Sequence, residues 1–512
     1  MTGGRSRDLC FLFCLLLLIY NSNCRAIPAP DTEPASLLPF SLLREGDLDL
    51  DEFALWKPDP SSPASSAFTV LPEHAWQEVP AVSEGWLAAF EQPDGRVQFF
   101  VRDRNGTIKP VQFPYFVQYR HGHVLSSYPV VLPLVLTPLY CPLMWIPQVH
   151  DLSFLNPYTK RKAFKVARIM EKLSASLIAT LSALVVYLAL CELCDRRAAL
   201  WVALLYALGT NTWTIGSQAL WQHGFSELCL SVMVYALLKG RIQQGWLSVA
   251  GLGAALATAN RPPNIVFLLL ATLYVWQQYR WRGLSFLLAP VLIGVLQFTY
   301  NLAYFGALTG GYRILLLGTE PLVQRIVSLP TEGLLGILVS PNRGLFIYTP
   351  FVLFSFWGLG RVWRSRAFPL LSYMGVGILA QIWLYGQFKV WWGGGSFGPR
   401  FLTDILPLLC LLLVPILPEL KRPVVRGLFM VAAVFSVGVQ ITGAFYYTGA
   451  WNTSPVNVDR YPERLWDWRD TQIRRSLQSG PAPTMFPFVK NFVQSELLSS
   501  KRRENGDVGQ RR

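Results

Sequence analysis

Apolar residues fall in long blocks along this chain, with little of the strict alternation of a strand or the one-sided stripe of a soluble helix. Runs near 168–190, 198–213, 219–238, 246–259, 263–277, 284–304, 345–360, 368–386, 402–418 and 427–447 each read as a membrane span. With a first apolar segment, Leu9 to Tyr20, they predict an all-α polytopic membrane protein of about eleven transmembrane helices. Residues 1–26 hold that first segment behind Arg5 and Arg7. It reads either as a signal-anchor or as a signal peptide with a cleavage position after Ala26. Residues 27–127 are polar and rich in proline. Phe99-Phe100-Val101, between the turn pairs Asp94-Gly95 and Asn105-Gly106, predicts a hairpin, and so a small mixed α/β outer-loop subdomain. Residues 128–447 form the multi-span domain. The run 128–146 is interrupted by Pro129, Pro133, Pro138 and Pro142, which suits a membrane-surface or re-entrant helix better than a clean span. Residues 448–512 form an outer tail whose last part, from Lys501, reads as disordered.

Charge fixes the expected orientation. With the N-terminus inside and 128–146 not crossing, the short inside loops carry 14 bases, including Arg196, Arg197, Arg361, Arg364 and Arg426. The later outside loops carry six: Arg261, Arg313, Arg325, Arg343, Lys389 and Arg400. That is the positive-inside arrangement. Lys160, Arg161 and Lys162 dissent. Letting 128–146 cross would bring them inside but invert every later loop.

Composition removes the soluble classes. Of 512 residues 52 % are hydrophobic and 15 % charged, against about 25 % charged in soluble domains. The basic excess is uneven. Residues 24–127 hold 14 acids against 8 bases, and residues 128–512 hold 35 bases against 16 acids. It is first a topology signal and points to no nucleic acid. Cys191-x-x-Cys194 lacks a second pair, so no zinc site is expected. No intact P-loop, HExxH or GxSxG motif is present, and the inside loops are too short for a nucleotide-binding domain.

The unusual polar residues all fall on the outer side. Glu45-Gly46-Asp47-Leu48-Asp49-Leu50-Asp51-Glu52 alternates Asp47, Asp49 and Asp51 along one edge. Crowded carboxylates raise one another's pKa and suit a general base, or a divalent cation; the same run also fits a solvated loop. In Trp391-Trp392-Gly393-Gly394-Gly395-Ser396-Phe397-Gly398-Pro399-Arg400, glycines admit a ligand to the backbone and tryptophans stack on sugars. An interfacial aromatic belt with a snorkelling Arg400 is the plainer alternative. Arg261 within Asn260-Arg261-Pro262-Pro263, Arg343 within Ser340-Pro341-Asn342-Arg343-Gly344, Lys389 and His223 sit at span ends, where a headgroup contact or a satisfied polar residue is as good a reading as a site.

The order of motifs resembles a family. A basic N-terminus and one apolar segment are followed by Asp51-Glu52. Gly122-His123 to Ser127-Tyr128-Pro129 comes next, then Ala207-Leu208-Gly209-Thr210 with Trp213, and Tyr300-Asn301 with Phe305-Gly306. Glu332-Gly333-Leu334-Leu335-Gly336 through Leu345, and Trp392-Gly393-Gly394 through Arg400, complete the series. Over most of 40–420 the chain resembles the polyprenyl-phosphate-sugar-dependent glycosyltransferases of the GT-C class, which include protein O-mannosyltransferases and the aminoarabinose transferase of lipid A. It is most similar to uncharacterised bacterial members. The resemblance implies a multi-pass inner (plasma) membrane enzyme whose active site faces the periplasm or outside. It would move a sugar from a lipid phosphate to a lipid, glycan or protein acceptor. It implies Asp51 as general base and Glu52 as orienting acid; Asp49 crowds the same place. Arg400, Arg261, Arg343 and Lys389 would stabilise the donor phosphate, and Trp391, Trp392, His223 and Tyr128 would contact substrate. No cofactor is required beyond an optional divalent cation. Two rival classes are a lipid-linked sugar flippase, which predicts internal repeats that are absent from the sequence, and a non-catalytic assembly factor, which needs neither the acids nor the outer arginines.

Overall fold

A computed structural model of the chain describes residues 2–53, 57–58, 76–79, 85–91, 97–102, 108–120, 123–150, 160–312, 330–365 and 367–482. The predicted Asp94-Gly95 and Asn105-Gly106 turns, Arg313, Arg325 and the tail beyond 482 lie outside these residues.

Every predicted apolar run contains helix. Three helices are long and apolar enough to cross a membrane by length and composition: Arg161–Cys191, Ser285–Phe305 and Pro423–Phe445. A bent pair, Arg400–Leu411 and Val414–Lys421, makes a fourth. The protein is thus an integral membrane protein. The uniform spans expected from the sequence give way, however, to shorter and broken elements. The run 345–360 is interrupted at Thr349, between Leu345–Tyr348 and Leu353–Ser365. Pro350 follows directly, and a residue before proline is steered out of the helical region. The run 402–418 bends by 59°. The segment after the helix Arg196–Gly209 forms a π-turn, Thr212–Gly216. The proline-rich run 128–146 folds as the short apolar helix Val131–Trp145, whose regular part Val131–Tyr140 has ten residues. That covers about 15 Å, half of the roughly 30 Å hydrocarbon layer.

Lipid-facing surfaces are visible as exposed apolar stripes. On Ser285–Phe305 only Phe286 and Asn301 are buried, while Leu288, Val291, Leu292, Val295 and Leu296 are exposed at helical spacing. On Pro423–Phe445, Val424, Leu428, Val431 and Val434 do the same. In water such faces would be large uncovered patches; in lipid they cost nothing. Helices approach closely at glycines. A Cβ on Gly251 would meet the Phe286 carbonyl oxygen at 1.9 Å, and one on Gly358 the Leu412 carbonyl oxygen at 1.8 Å.

The first helix, Thr2–Asn21, is part of this packing. Leu12, Leu16 and Tyr20 are fully buried. Asp8 receives two bonds from Arg196, 2.5 and 2.6 Å, where the helix Arg196–Gly209 is started by the Asp195 cap. At the other end Lys172 donates to the Tyr20 carbonyl and to Gln218 Oε1, both at 2.6 Å.

The stretch after the first two helices holds more strand than the predicted hairpin. Strands β1 (Lys57–Pro58), β2 (Trp76–Val79), β3 (Gly85–Glu91), β4 (Val97–Arg102) and β5 (Ile108–Gln112) form an antiparallel sheet in the order β1-β5-β4-β3-β2. Phe99 and Phe100 of β4 pair with Ala89 and Ala88 of β3. A separate hairpin, β6 (Val117–Arg120) and β7 (His123–Ser126), carries His123, which faces the acidic stretch. The part of the predicted tail up to 482 is docked: Trp451, Val458, Leu465 and Gln472 are buried against the bundle.

Candidate active site

After the helix Glu33–Arg44 the chain turns at Gly46, whose φ of +81° suits glycine. It then joins β7: Leu50 N–H donates to the Val124 carbonyl at 2.7 Å, and Asp49 bridges Leu125. Asp49 and Asp51, two residues apart, then face the same way and meet His123. Its Nδ1 lies 2.9 Å from an oxygen of each. The other Asp51 oxygen accepts the Val124 N–H at 2.6 Å, and Asp49 accepts the Asp51 N–H at 3.1 Å. Burial and the neighbouring Asp51 charge raise Asp49 to about 6, and burial raises Asp51. Burial raises Glu52 to about 8, and its Oε1 has no hydrogen-bond partner among the described residues. Burial pulls His123 down, but Asp51 and Asp49 more than offset it and leave it raised. The expected single edge of three aspartates is split. The turn at Gly46 sends Asp47 to Ser41 Oγ, 2.7 Å away, and Asp51–Phe53 is a 3-10 turn rather than extended chain. Asp49, Asp51 and His123 offer ligand atoms within 4.8 Å of one another, a set of two carboxylates and one imidazole that fits a divalent cation.

Arg400 lies in a second cluster. It follows a loop in which Gly393, Gly394 and Gly398 have φ of +69°, +71° and +72°. Its Nη1 donates to Asp31 at 2.5 Å, and its guanidinium stacks 4.5 Å over the ring of Trp221. Its Nε is buried without a hydrogen-bond partner among the described residues. The Tyr115 hydroxyl also donates to Asp31. Burial pushes the Asp31 carboxyl up, but Arg400 and the phenols of Tyr115 and Tyr128 outweigh it, so the carboxyl stays below its ordinary value. Asp31 escaped the sequence reading. As the acid in the turn before a helix, next to Pro30, it looks like an ordinary helix-start residue.

Two residues beyond Trp221, His223 belongs to a third, fully buried group. Its Nδ1 is 2.6 Å from Asp404 and its Nε2 is 2.9 Å from Arg261. Arg261 Nε is 2.9 Å from Asp404 and its Nη2 donates to the Tyr385 hydroxyl at 2.6 Å. Asn264 completes Asp404 at 3.1 Å. Arg400 and Asp404 share the 3-10 segment Arg400–Ile405, so one short element supplies both a cation and the counter-charge of another. Asp404 was hidden inside an apolar run.

The remaining predicted residues sit elsewhere. Arg343 is 1 % exposed and donates to the carbonyls of Asn342, Trp392 and Gly394 and to Asn452 Oδ1, at 2.7–3.2 Å. Its donors are spent on the glycine loop. Trp391 and Trp392 are buried; Trp392 donates to Asp459 at 2.7 Å and Trp391 packs on Trp466. Lys389 is exposed on the turn before them. Val124, whose N–H bonds Asp51, and Tyr128, whose phenol faces Asp31, stand four residues apart on one stretch of chain, at most about 14 Å of backbone.

No protein-family model matches the sequence, and no curated protein matches it. Among solved structures the chain is similar to ArnT from Cupriavidus metallidurans bound to undecaprenyl phosphate, with 13 % identity over 86 % of this chain and 70 % of that one, TM-score 0.45. It is also similar to the apo oligosaccharyltransferase of Archaeoglobus fulgidus, with 14 % identity over 69 % of this chain and 54 % of that one, TM-score 0.37.

Proposed function

We propose that the protein is a GT-C-type glycosyltransferase that moves a sugar from a polyprenyl-phosphate carrier to an acceptor at the outer face of a plasma membrane, with its N-terminus inside. The observation that carries this reading is Arg400. It is a part-saturated guanidinium on an aromatic face, beside the partly buried carboxylate of Asp31 and close to Gly393, which has no side chain. When the bond between the anomeric carbon and the phosphate oxygen breaks, charge collects on the leaving phosphate, and a preorganised guanidinium stabilises it there. Arg261 is balanced by Asp404 and ties down the short segment that carries Arg400. Arg343 serves as the clamp of the loop rather than as a ligand. The carboxylates Asp51, Asp49 and Glu52 orient the acceptor and carry its proton on toward solvent. Asp49, Asp51 and His123 would hold a divalent cation, which would offset the crowding of the acids.

Reconstituted protein supplied with a polyprenyl-phosphate sugar tests this. Arg400→Ala is expected to lower donor use by roughly 10- to 150-fold, the worth of a charged hydrogen bond, and Arg400→Lys by less. An unchanged donor dependence and maximal rate in correctly inserted Arg400→Ala would remove Arg400 from the site.

A further inference from the structure

Two arginines beside the glycine loop, Arg343 and Arg400, are satisfied differently. Arg343 directs its nitrogens onto four oxygen acceptors. Arg400 has one carboxylate oxygen at Nη1 and an unpartnered Nε, although 87 % of its side chain is out of solvent. Its carboxylate partner, Asp31, is equally enclosed and gathers donors from Arg400 and Tyr115, with the Tyr128 phenol beside it. A guanidinium and two phenols converging on two oxygens form an oxyanion receptor. Gly393 carries no side chain where a Cβ would stand 3.2 Å from Arg400 Nε, and around Gly394 there is open space.

Resting on the glycosyltransferase reading, we propose that Asp31 is an exchangeable counter-ion of Arg400. In the resting protein its carboxylate stands where a phosphate group binds. The phosphate takes over Arg400, and Asp31 is released toward the acceptor. A carboxylate paired to arginine is a weak base, and one that has lost that partner in a buried setting is a stronger one. The released Asp31 accepts the proton of the acceptor hydroxyl as its oxygen bonds to the sugar's anomeric carbon. The bond from that carbon to the phosphate oxygen breaks, and its electron pair leaves on the phosphate, against Arg400. Donor binding thus switches on the base, and without donor the base stays masked.

The full-length protein in nanodiscs, titrated with undecaprenyl phosphate and separately with inorganic phosphate, tests the exchange. Calorimetry reads the binding of each anion. Asp31→Asn is expected to bind undecaprenyl phosphate about 10-fold or more tighter than wild type while losing about 100-fold or more in sugar transfer. Arg400→Ala binds it more weakly. A merely structural Asp31 would weaken both properties together. Asp31→Ser serves if the Asn variant does not fold. Binding by Asp31→Asn that is equal to or weaker than wild type overturns the exchange while leaving the glycosyltransferase reading intact. Wild type that binds neither anion and transfers no sugar overturns that reading itself. Lipid phosphate bound more tightly than inorganic phosphate assigns the anion to the carrier; equal binding rules the carrier out as its source.

Discussion

Asp404→Asn tests the buried triad that supports Arg261. Asp404 is fully buried and serves three partners: His223 at 2.6 Å, Arg261 at 2.9 Å and Asn264 at 3.1 Å. Arg261 is 6 % exposed and has no other carboxylate among its described contacts; the Tyr385 hydroxyl and the His223 ring remain. Removing one member of a buried pair leaves the other charge uncompensated and costs about 3–5 kcal/mol. At about 2–4 °C per kcal/mol, as for large domains, the apparent melting point should drop by roughly 6–20 °C. Heating detergent-solubilised protein and counting surviving monodisperse material by size exclusion measures this. The double variant Asp404→Leu with Arg261→Met removes both charges together, so it should recover most of the loss. An unchanged melting point in Asp404→Asn, or a double variant as unstable as the single one, would refute the pairing argument.

Glu52 at about 8 and Asp49 at about 6 lie above their ordinary values of 4.5 and 3.8, so the folded chain holds protons that the unfolded chain has already lost. Their contribution to stability is complete below about pH 4 and fades as pH rises through 8. His123, also raised, loses its own contribution over the upper part of that range. Glu52→Gln should therefore flatten the decline in melting point between pH 6 and 9, and an unaltered slope would count against the burial of Glu52. Gly398→Ala places a Cβ 2.6 Å from the Tyr348 ring at a φ of +72° and should cost about 2–4 kcal/mol, measured as lost thermal stability, whereas Gly394→Ala meets no atom and should cost only about 1. A topology reporter fused after Tyr447 should be active only on the outer side; inside activity would mean that residues 128–146 cross the membrane.

Arg400 was legible because an arginine that opens an apolar run after three glycines is costly unless it has work to do. The helices were legible from the same runs. Their interruptions were not, since a break at Thr349 or a 59° bend inside 400–421 depends on what each segment packs against. Asp31 and Asp404 were missed for a common reason. Each is a lone acid whose partner lies far along the chain, 369 positions for Asp31 and Arg400, and 181 for His223 and Asp404. Arg343 and the paired tryptophans look like ligand residues in one dimension. They turn inward only because the segment after Tyr447 folds back over them.

That segment has a consequence for biosynthesis. Gln472 is fully buried. It receives the Gly398 N–H at 3.1 Å and the Tyr348 hydroxyl at 2.9 Å, and its own N–H reaches Asn342 at 2.6 Å. The glycine loop is therefore held by residues synthesised some 70 positions after it. On the ribosome, a chain that has already threaded its helices into the membrane still lacks the strut that sets the loop in front of Arg400. The surroundings of Arg400 are completed last, once the stretch that carries Gln472 has been made.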